Sequence, residues 1–329
     1  MCIRDRANTL GTGTGSGNIV VTAPISTNAI SQTLSLQAQG QIILNADITN
    51  TATSGSLFLD LIAPAGVQWG NAILSGRMEV SVKQLVSSPA NDGLIQVSGS
   101  GSFLGGSSGL STLNARSMAI PSAKSFRVGS NAYVNLDGVT PIPPTQSGSS
   151  GLDVLGTLVL DPNSTIAIGG GVFGNSGFID AGDNSKIYVG TSSGNFTNTG
   201  DGSFSNNSTG LLYLGVPFGP TSPNLSTVSV YASVFSNLGS IRYDLVASPS
   251  ITSDLLNVFG PGPQYSTSTV NLGGSLDPTL YGSLSGSATW SLVNAGQING
   301  SFSNIGSLGG SSSVVPFPGG QGYFFTYSS

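Results

Sequence analysis

Three stretches decide the fold: Ile19-x-Val21-x-Ala23-x-Ile25, Ile42-x-Leu44-x-Ala46-x-Ile48 and Val67-x-Trp69-x-Asn71-x-Ile73. They begin at positions 19, 42 and 67, nearly evenly spaced, and each reads with period two. A second series lies between them. Leu34-x-Leu36-x-Ala38 and Leu57-x-Leu59-x-Leu61-x-Ala63 are offset by the same interval as Ile19 and Ile42, so two interleaved strand series share one period. Period two sends alternate side chains to opposite faces, which makes each segment a half-buried strand. Strands that return at intervals of roughly 20 to 25 residues, with Gly, Asn, Ser and Thr between them, bury their apolar faces by coiling so that equivalent strands stack in parallel.

The period continues downstream. Ile166-x-Ile168, Ile187-x-Val189 and Leu212-x-Leu214 follow one another at similar intervals, and the turns Asn175-Ser176-Gly177 and Asn198-Thr199-Gly200 repeat the offset between Ile19 and Ile42. Asn and Gly suit such corners because both tolerate left-handed backbone, and stacked asparagines can form ladders. Helical periodicity is absent. A sandwich needs no fixed period and a propeller blade needs about 40 to 45 residues. The expected fold is therefore all-β, a right-handed single-stranded parallel β-helix (β-solenoid). At about 22 residues per coil it has roughly 14 coils, a rod on the order of 65 to 70 Å long.

Residues 1–6, Met-Cys-Ile-Arg-Asp-Arg, differ from everything after them and are set aside as an artefact or a disordered leader. Residues 7–140 and 152–329 are read as β-helix coils, continuous through a Pro/Gly/Ser-rich loop at 141–151. A second Gly-Ser-rich stretch, 99–112, is expected to protrude from the stack. No amphipathic capping helix and no signal-peptide apolar core is visible, so the chain reads as a piece of something longer.

Composition narrows the function classes. Only 7 % of the 329 residues are charged, against about 25 % in ordinary soluble domains, so solubility rests on Ser, Thr, Asn and the 48 glycines. This neutral polar surface points outside the cell. The net charge of −5 and nine scattered basic residues exclude nucleic acid as a primary partner, as well as an anionic membrane surface. No apolar run reaches the roughly 18 residues of a membrane-spanning helix. Cys2 is the only cysteine and histidine is absent, which removes disulfide frameworks, Ser-His-Asp and Cys-His nucleophile systems and histidine metal motifs.

Chemistry then rests on carboxylates. The steps from Asp161 to Asp180 and from Asp180 or Asp183 to Asp201 each approximate one coil, with Asp180 and Asp183 in one turn. Carboxylates on neighbouring coils would stand about 5 Å apart, the range used by glycosidases, which makes a polysaccharide-active β-helix the alternative reading. All four adjoin Gly, Pro or Asn, where Asp ordinarily serves a turn. Calcium is a second use for them, but the nonapeptide of calcium-loaded β-rolls is absent and no metal or cofactor is expected. Gly169-Gly170-Gly171 and Gly273-Gly274 are read as corners, because no Lys-Ser/Thr follows. The six Asn-x-Ser/Thr triplets follow from composition. Trp69, Trp290, Tyr188 and Tyr213 would stack on sugars if exposed, but strand-face aromatics more often belong to the core.

The stretch Leu34-Ser35-Leu36-Gln37-Ala38-Gln39-Gly40-Gln41-Ile42-Ile43-Leu44-Asn45-Ala46-Asp47-Ile48 resembles the repeats of filamentous-haemagglutinin-type exoproteins. The C-terminal part is similar to autotransporter passenger repeats instead, through Ser253-Asp254-Leu255-Leu256-Asn257-Val258, Val270-Asn271-Leu272-Gly273-Gly274 and the run from Trp290 to Phe302. These motifs are structural and cover about two-thirds of the chain. The resemblance implies export through an outer-membrane translocator barrel, which would be a transient partner. It also implies extracellular or cell-surface display and a non-catalytic rod acting in adhesion, aggregation or as a stalk. Glycans, host matrix or like molecules are then the expected partners, with no direct membrane insertion of this segment. The family's signal peptide, secretion domain and barrel have no counterpart here.

Overall fold

The computed structural model describes residues 2–3, 17–28, 30–83, 93–105, 111–136, 151–168, 172–190, 203–214, 225–247, 251–260, 268–282, 287–305, 311–316 and 322–328. Among these every regular element is a strand, and the strands form three long sheets of 13, 11 and 12 members. Each coil contributes one strand to sheet B, one to sheet C and one to sheet A, in that order; Ile19–Val21, Ile25–Thr27 and Gln32–Gln37 are the first full set. Within each sheet the successive strands pair in parallel, as the backbone of a β-helix must.

Alternation builds the core. Leu34, Leu59, Val80, Leu113, Val134, Ile166 and Ile187 follow one another inward along sheet A, while the residues between them face outward. Nearly all the inward side chains are 0–2 % exposed and form one continuous cluster. Trp69 fills the interior and meets Phe126 edge-on, with centroids 5.2 Å apart at 89°.

The register confirms Ile19 on Ile42 on Val67, and corrects three finer alignments. Ile48 pairs with Leu74 rather than Ile73, because the corner after Trp69 is one residue longer; Leu74 is buried and Ile73 is 37 % exposed. Leu34 pairs with Leu59 rather than Leu57, a slip of two that leaves every side chain on its expected face. Leu212 belongs to sheet C, opposite Ile179, and the strand that follows Ile187 in sheet A carries Val230. The step between coils also varies: it is short from Leu160 to Ala181, longer from Phe173 to Phe204 and from Phe204 to Phe235, and longer again from Met118 to Leu152. Sheet B therefore holds eleven rungs among the described residues, about 50 Å of stack, where a uniform coil of about 22 residues implies roughly 14.

The extra length falls mostly between sheets A and B, with a further long connection from Leu214 to Thr227 between sheets C and A. From sheet A to sheet B the chain runs long from Lys83 to Leu94, Leu136 to Leu152, Val189 to Ser203 and Phe259 to Thr269. The connection is short from Ala115 to Ser117, Ile168 to Val172, Tyr231 to Val234 and Asn294 to Gln297, and Gly169-Gly170-Gly171 lie outside the described residues. The connections Gln37–Ile42 and Ile62–Val67 are both short, and from Lys83 onward long and short alternate coil by coil.

Other corners use side chains that the sequence foretold. Asn131, Asn163 and Asn184 occupy one corner on consecutive coils, with φ of 59°, 62° and 55°. At another, Asn175, Asn206 and Asn237 form a buried ladder: Asn175 Nδ2 donates to Asn206 Oδ1 (2.9 Å) and Asn206 Nδ2 to Asn237 Oδ1 (2.8 Å). Beside it inside the coil Phe173 meets Phe204 edge-on and Phe204 stacks on Phe235. A Cβ on Gly239 or Gly274 would strike the carbonyl oxygen of the glycine one coil back.

Three local expectations change. Within the Gly-Ser-rich 99–112 stretch, Ser100–Leu104 and the residues from Ser111 are strands, with Phe103 fully buried. Cys2–Ile3, set aside from the fold, pairs with the strand Gln32–Gln37. At the other end of sheet A, Gly322–Ser328 pairs antiparallel with both Ser287–Asn294 and Ser311–Pro316, so a hairpin ends the parallel series. The loop 141–150 and the turn at Asn198 lie outside the described residues.

Candidate functional site: outward rows on two sheets

Sheet C carries the charged row. Arg127, Val159, Asp180, Tyr213, Arg242 and Asp277 are paired across six consecutive rungs, and their strand neighbours Phe126, Leu158, Ile179, Leu212, Ile241 and Leu276 point into the core. Asp161 follows Leu160 at the end of its strand and meets Arg127, whose Nε donates to Oδ1 (2.9 Å) and Oδ2 (3.0 Å). The Arg127 side chain remains 55 % exposed while that of Asp161 is 12 % exposed.

Asp180 lies one rung further on and is 5 % exposed, with Oδ1 lacking any hydrogen-bond partner. Burial first, and then the nearby charge of Asp161, raise its pKa to about 7, with Arg127 opposing them. Two carboxyls of one face are thus held in different environments, one ion-paired and one desolvated. Asp183 sits elsewhere, in the corner beside Asn184, where its Oδ1 accepts from the Thr227 N–H (2.9 Å) and its Oδ2 from Asn184 Nδ2 (2.9 Å). Asp201 lies outside the described residues. Asp180 stands opposite Val159 and Tyr213, so the described aspartates do not stack directly on one another.

Beyond Asp180 the row turns aromatic: the Arg242 guanidinium lies 5.3 Å from the centroid of Tyr213. Sequence reasoning passed over the acids next to it. Asp254, wholly buried, follows the short antiparallel strand Thr252–Ser253 and accepts from the backbone N–H groups of Ser226 (2.7 Å) and Asp244 (2.5 Å). Burial pushes its pKa up to about 8 against the pull of those two hydrogen bonds. It stitches an excursion of the chain to the stack, and no signal in the local sequence separates it from a turn aspartate. Among the described residues no group of three or more Asp, Glu, Cys or His could hold a metal ion.

Sheet A carries the aromatic row. Tyr188, Tyr231 and Phe259 face outward on consecutive rungs, half-buried and stacked, with centroids 4.1 and 4.9 Å apart and interplanar angles of 12° and 17°. Of the four aromatics considered as sugar platforms, Tyr188 keeps partial exposure; Trp69, Trp290 and Tyr213 are buried. Compared with protein-family models, with curated proteins and with solved structures, the chain matches none.

Proposed function

We propose that this chain is a length of a secreted or surface-displayed β-helical rod of the adhesin-like exoprotein kind, non-catalytic, acting through repeated contacts along its flank. The observation that carries the reading is the outer face of sheet A. From Tyr133 to Asn294 its central outward columns hold a single ionic group, Lys186, and one alanine, Ala167, among hydroxyl, amide and aromatic side chains at rung spacing. A long, nearly uncharged, repeating surface suits many weak contacts acting together. The resemblance to exported passengers and the near absence of cysteine support an extracellular place for it.

One observation favours a second reading, a polysaccharide-active β-helix. Asp180, with its pKa near 7, is of the kind that serves as a general acid, beside an ion-paired Asp161. Its burial argues for the structural role.

Beads coated with the chain, applied to glycan and matrix-protein arrays and to soluble polysaccharides, separate the readings. Binding without cleavage is the expected result. Silence on every array would leave only a stalk. Cleavage that disappears in Asp180→Asn would replace the rod reading with the enzyme.

A further inference from the structure

We propose that the outer face of sheet A around Tyr188, Tyr231 and Phe259 is a binding surface for a neutral polysaccharide lying along the axis of the stack. The inference deepens the rod reading, on which it rests for the setting in which such a ligand is met.

The rings provide the first argument. Contacting carbons rest about 3.5 to 4.0 Å apart, so a centroid separation of 4.9 Å between nearly parallel rings means that Phe259 is slid past Tyr231. The Tyr188 and Tyr231 rings lie closer, at 4.1 Å, so the three form an overlapping row that stays half-buried on the outer face. The buried Phe173–Phe204–Phe235 row shows that the fold can hide three aromatics on consecutive coils; here three are left half exposed. Elsewhere the same outward column holds Asp60, Ser81, Asn114 and Asn135, so the strand geometry itself demands no aromatic.

The neighbouring column provides the second. Two residues earlier on each strand stand Tyr133, Thr165, Lys186, Ser229 and Asn257, with Asn294 next, donating through Nδ2 to Asn257 Oδ1 (3.0 Å). A row of aromatic rings therefore runs parallel to hydroxyl and amide groups, both at about 4.8 Å per step. A pyranose chain has this same duality of C–H faces and hydroxyl edges. Neither column carries a carboxylate from Tyr133 to Asn294, and one lysine is too little to hold a polyanion. The ligand is therefore neutral.

The test is electrophoresis of the full chain through native gels cast with hydroxyethyl cellulose, with galactomannan, with polygalacturonate or with no polymer. Retardation by at least one neutral polymer, and none by polygalacturonate, is the expected result. Tyr231→Ala removes the middle ring and weakens retardation on the order of tenfold, whereas Tyr231→Phe stays close to the parent. Ser229→Asp leaves the rings in place, puts a charge beside them and also weakens binding, so the proposal survives an unstable Tyr231→Ala. Free migration in both neutral polymers, or equal retardation of well-folded Tyr231→Ala and Ser229→Asp, overturns the assignment. Array binding that persists in these variants would show that the rod reading stands while this face is the wrong place. Gel retardation with silent arrays would do the reverse.

Discussion

Asn175 and Asn206 are joined side chain to side chain across one coil at 2.9 Å, with neither exposed to solvent. Asn206 is the middle of the ladder, since it also donates to Asn237 Oδ1 and to the Ser240 carbonyl (3.0 Å). Asn206→Ala removes partners from both neighbours at once. Leaving buried polar groups unsatisfied costs about 1 to 3 kcal/mol each, so the expected loss is about 2 to 6 kcal/mol. Hydrogen exchange of the neighbouring coils measures it, because the stack unfolds by nearest-neighbour units and a single unfolding free energy is not defined. Unchanged protection of the Phe204 and Phe235 amides would remove the ladder from the account.

The corner after Trp69 predicts a contrast between adjacent residues. Leu74→Ala should cost about 2 to 5 kcal/mol, as buried leucines do. Ile73→Ala, on the partly exposed position, should stay within about 1 kcal/mol. Thermal melting of the two variants decides it. The reverse order would mean that the period-two alignment of Ile73 with Ile48 is the true register.

Stability should fall as pH rises. Asp180 and Asp254 have folded pKa values of about 7 and about 8, above their ordinary 3.8, so the folded chain holds protons that the unfolded chain releases. Their favourable contribution is complete below about pH 4 and is lost as pH passes through 7 and 8. Melting temperatures between pH 4.5 and 9 give the profile. Asp180→Asn, which cannot ionise, should melt higher than the parent at pH 8 and close to it at pH 5. A parent that gains stability from pH 5 to pH 8 through these groups would contradict the burial assigned to them.

Both tryptophans give an optical check. Trp69 Nε1 donates to the Ala72 carbonyl and Trp290 Nε1 to the Val246 carbonyl, each at 2.9 Å, and both rings are 0–1 % exposed. Their emission should be blue-shifted and insensitive to iodide. Quenching of half the signal would place one of them at the surface.

How much of this was legible depended on corner length. Ile19, Ile42 and Val67 align correctly from sequence because the first coils turn through short connections of nearly equal length. Leu34 falls on Leu57 instead of Leu59 because period two cannot distinguish a slip of two positions. The even recurrence of Phe173-x-Asn175, Phe204-x-Asn206 and Phe235-x-Asn237 stands in the sequence. The shorter interval from Ile19 to Ile42 hides it and picks out Asn198-Thr199-Gly200 instead. The aspartates stand out as a set, but separation in sequence does not reveal which face a residue occupies. Register alone sends Asp180 to the outer face of sheet C and Asp183 to a corner. Tyr231 and Phe259 carry no signal of their own, since their kinship with Tyr188 exists only once the unequal steps from Tyr188 to Tyr231 and from Tyr231 to Phe259 are known.

The alternation of long and tight connections between sheets A and B has an evolutionary corollary. Lengthening a long connection leaves the paired strands on either side in register, whereas lengthening a tight one would displace the strands it joins. Inherited changes in length should therefore gather as a dotted seam down that edge from Lys83 onward, with one further dot between Leu214 and Thr227. Such a chain can diversify what it displays there while the remaining flanks stay fixed in shape.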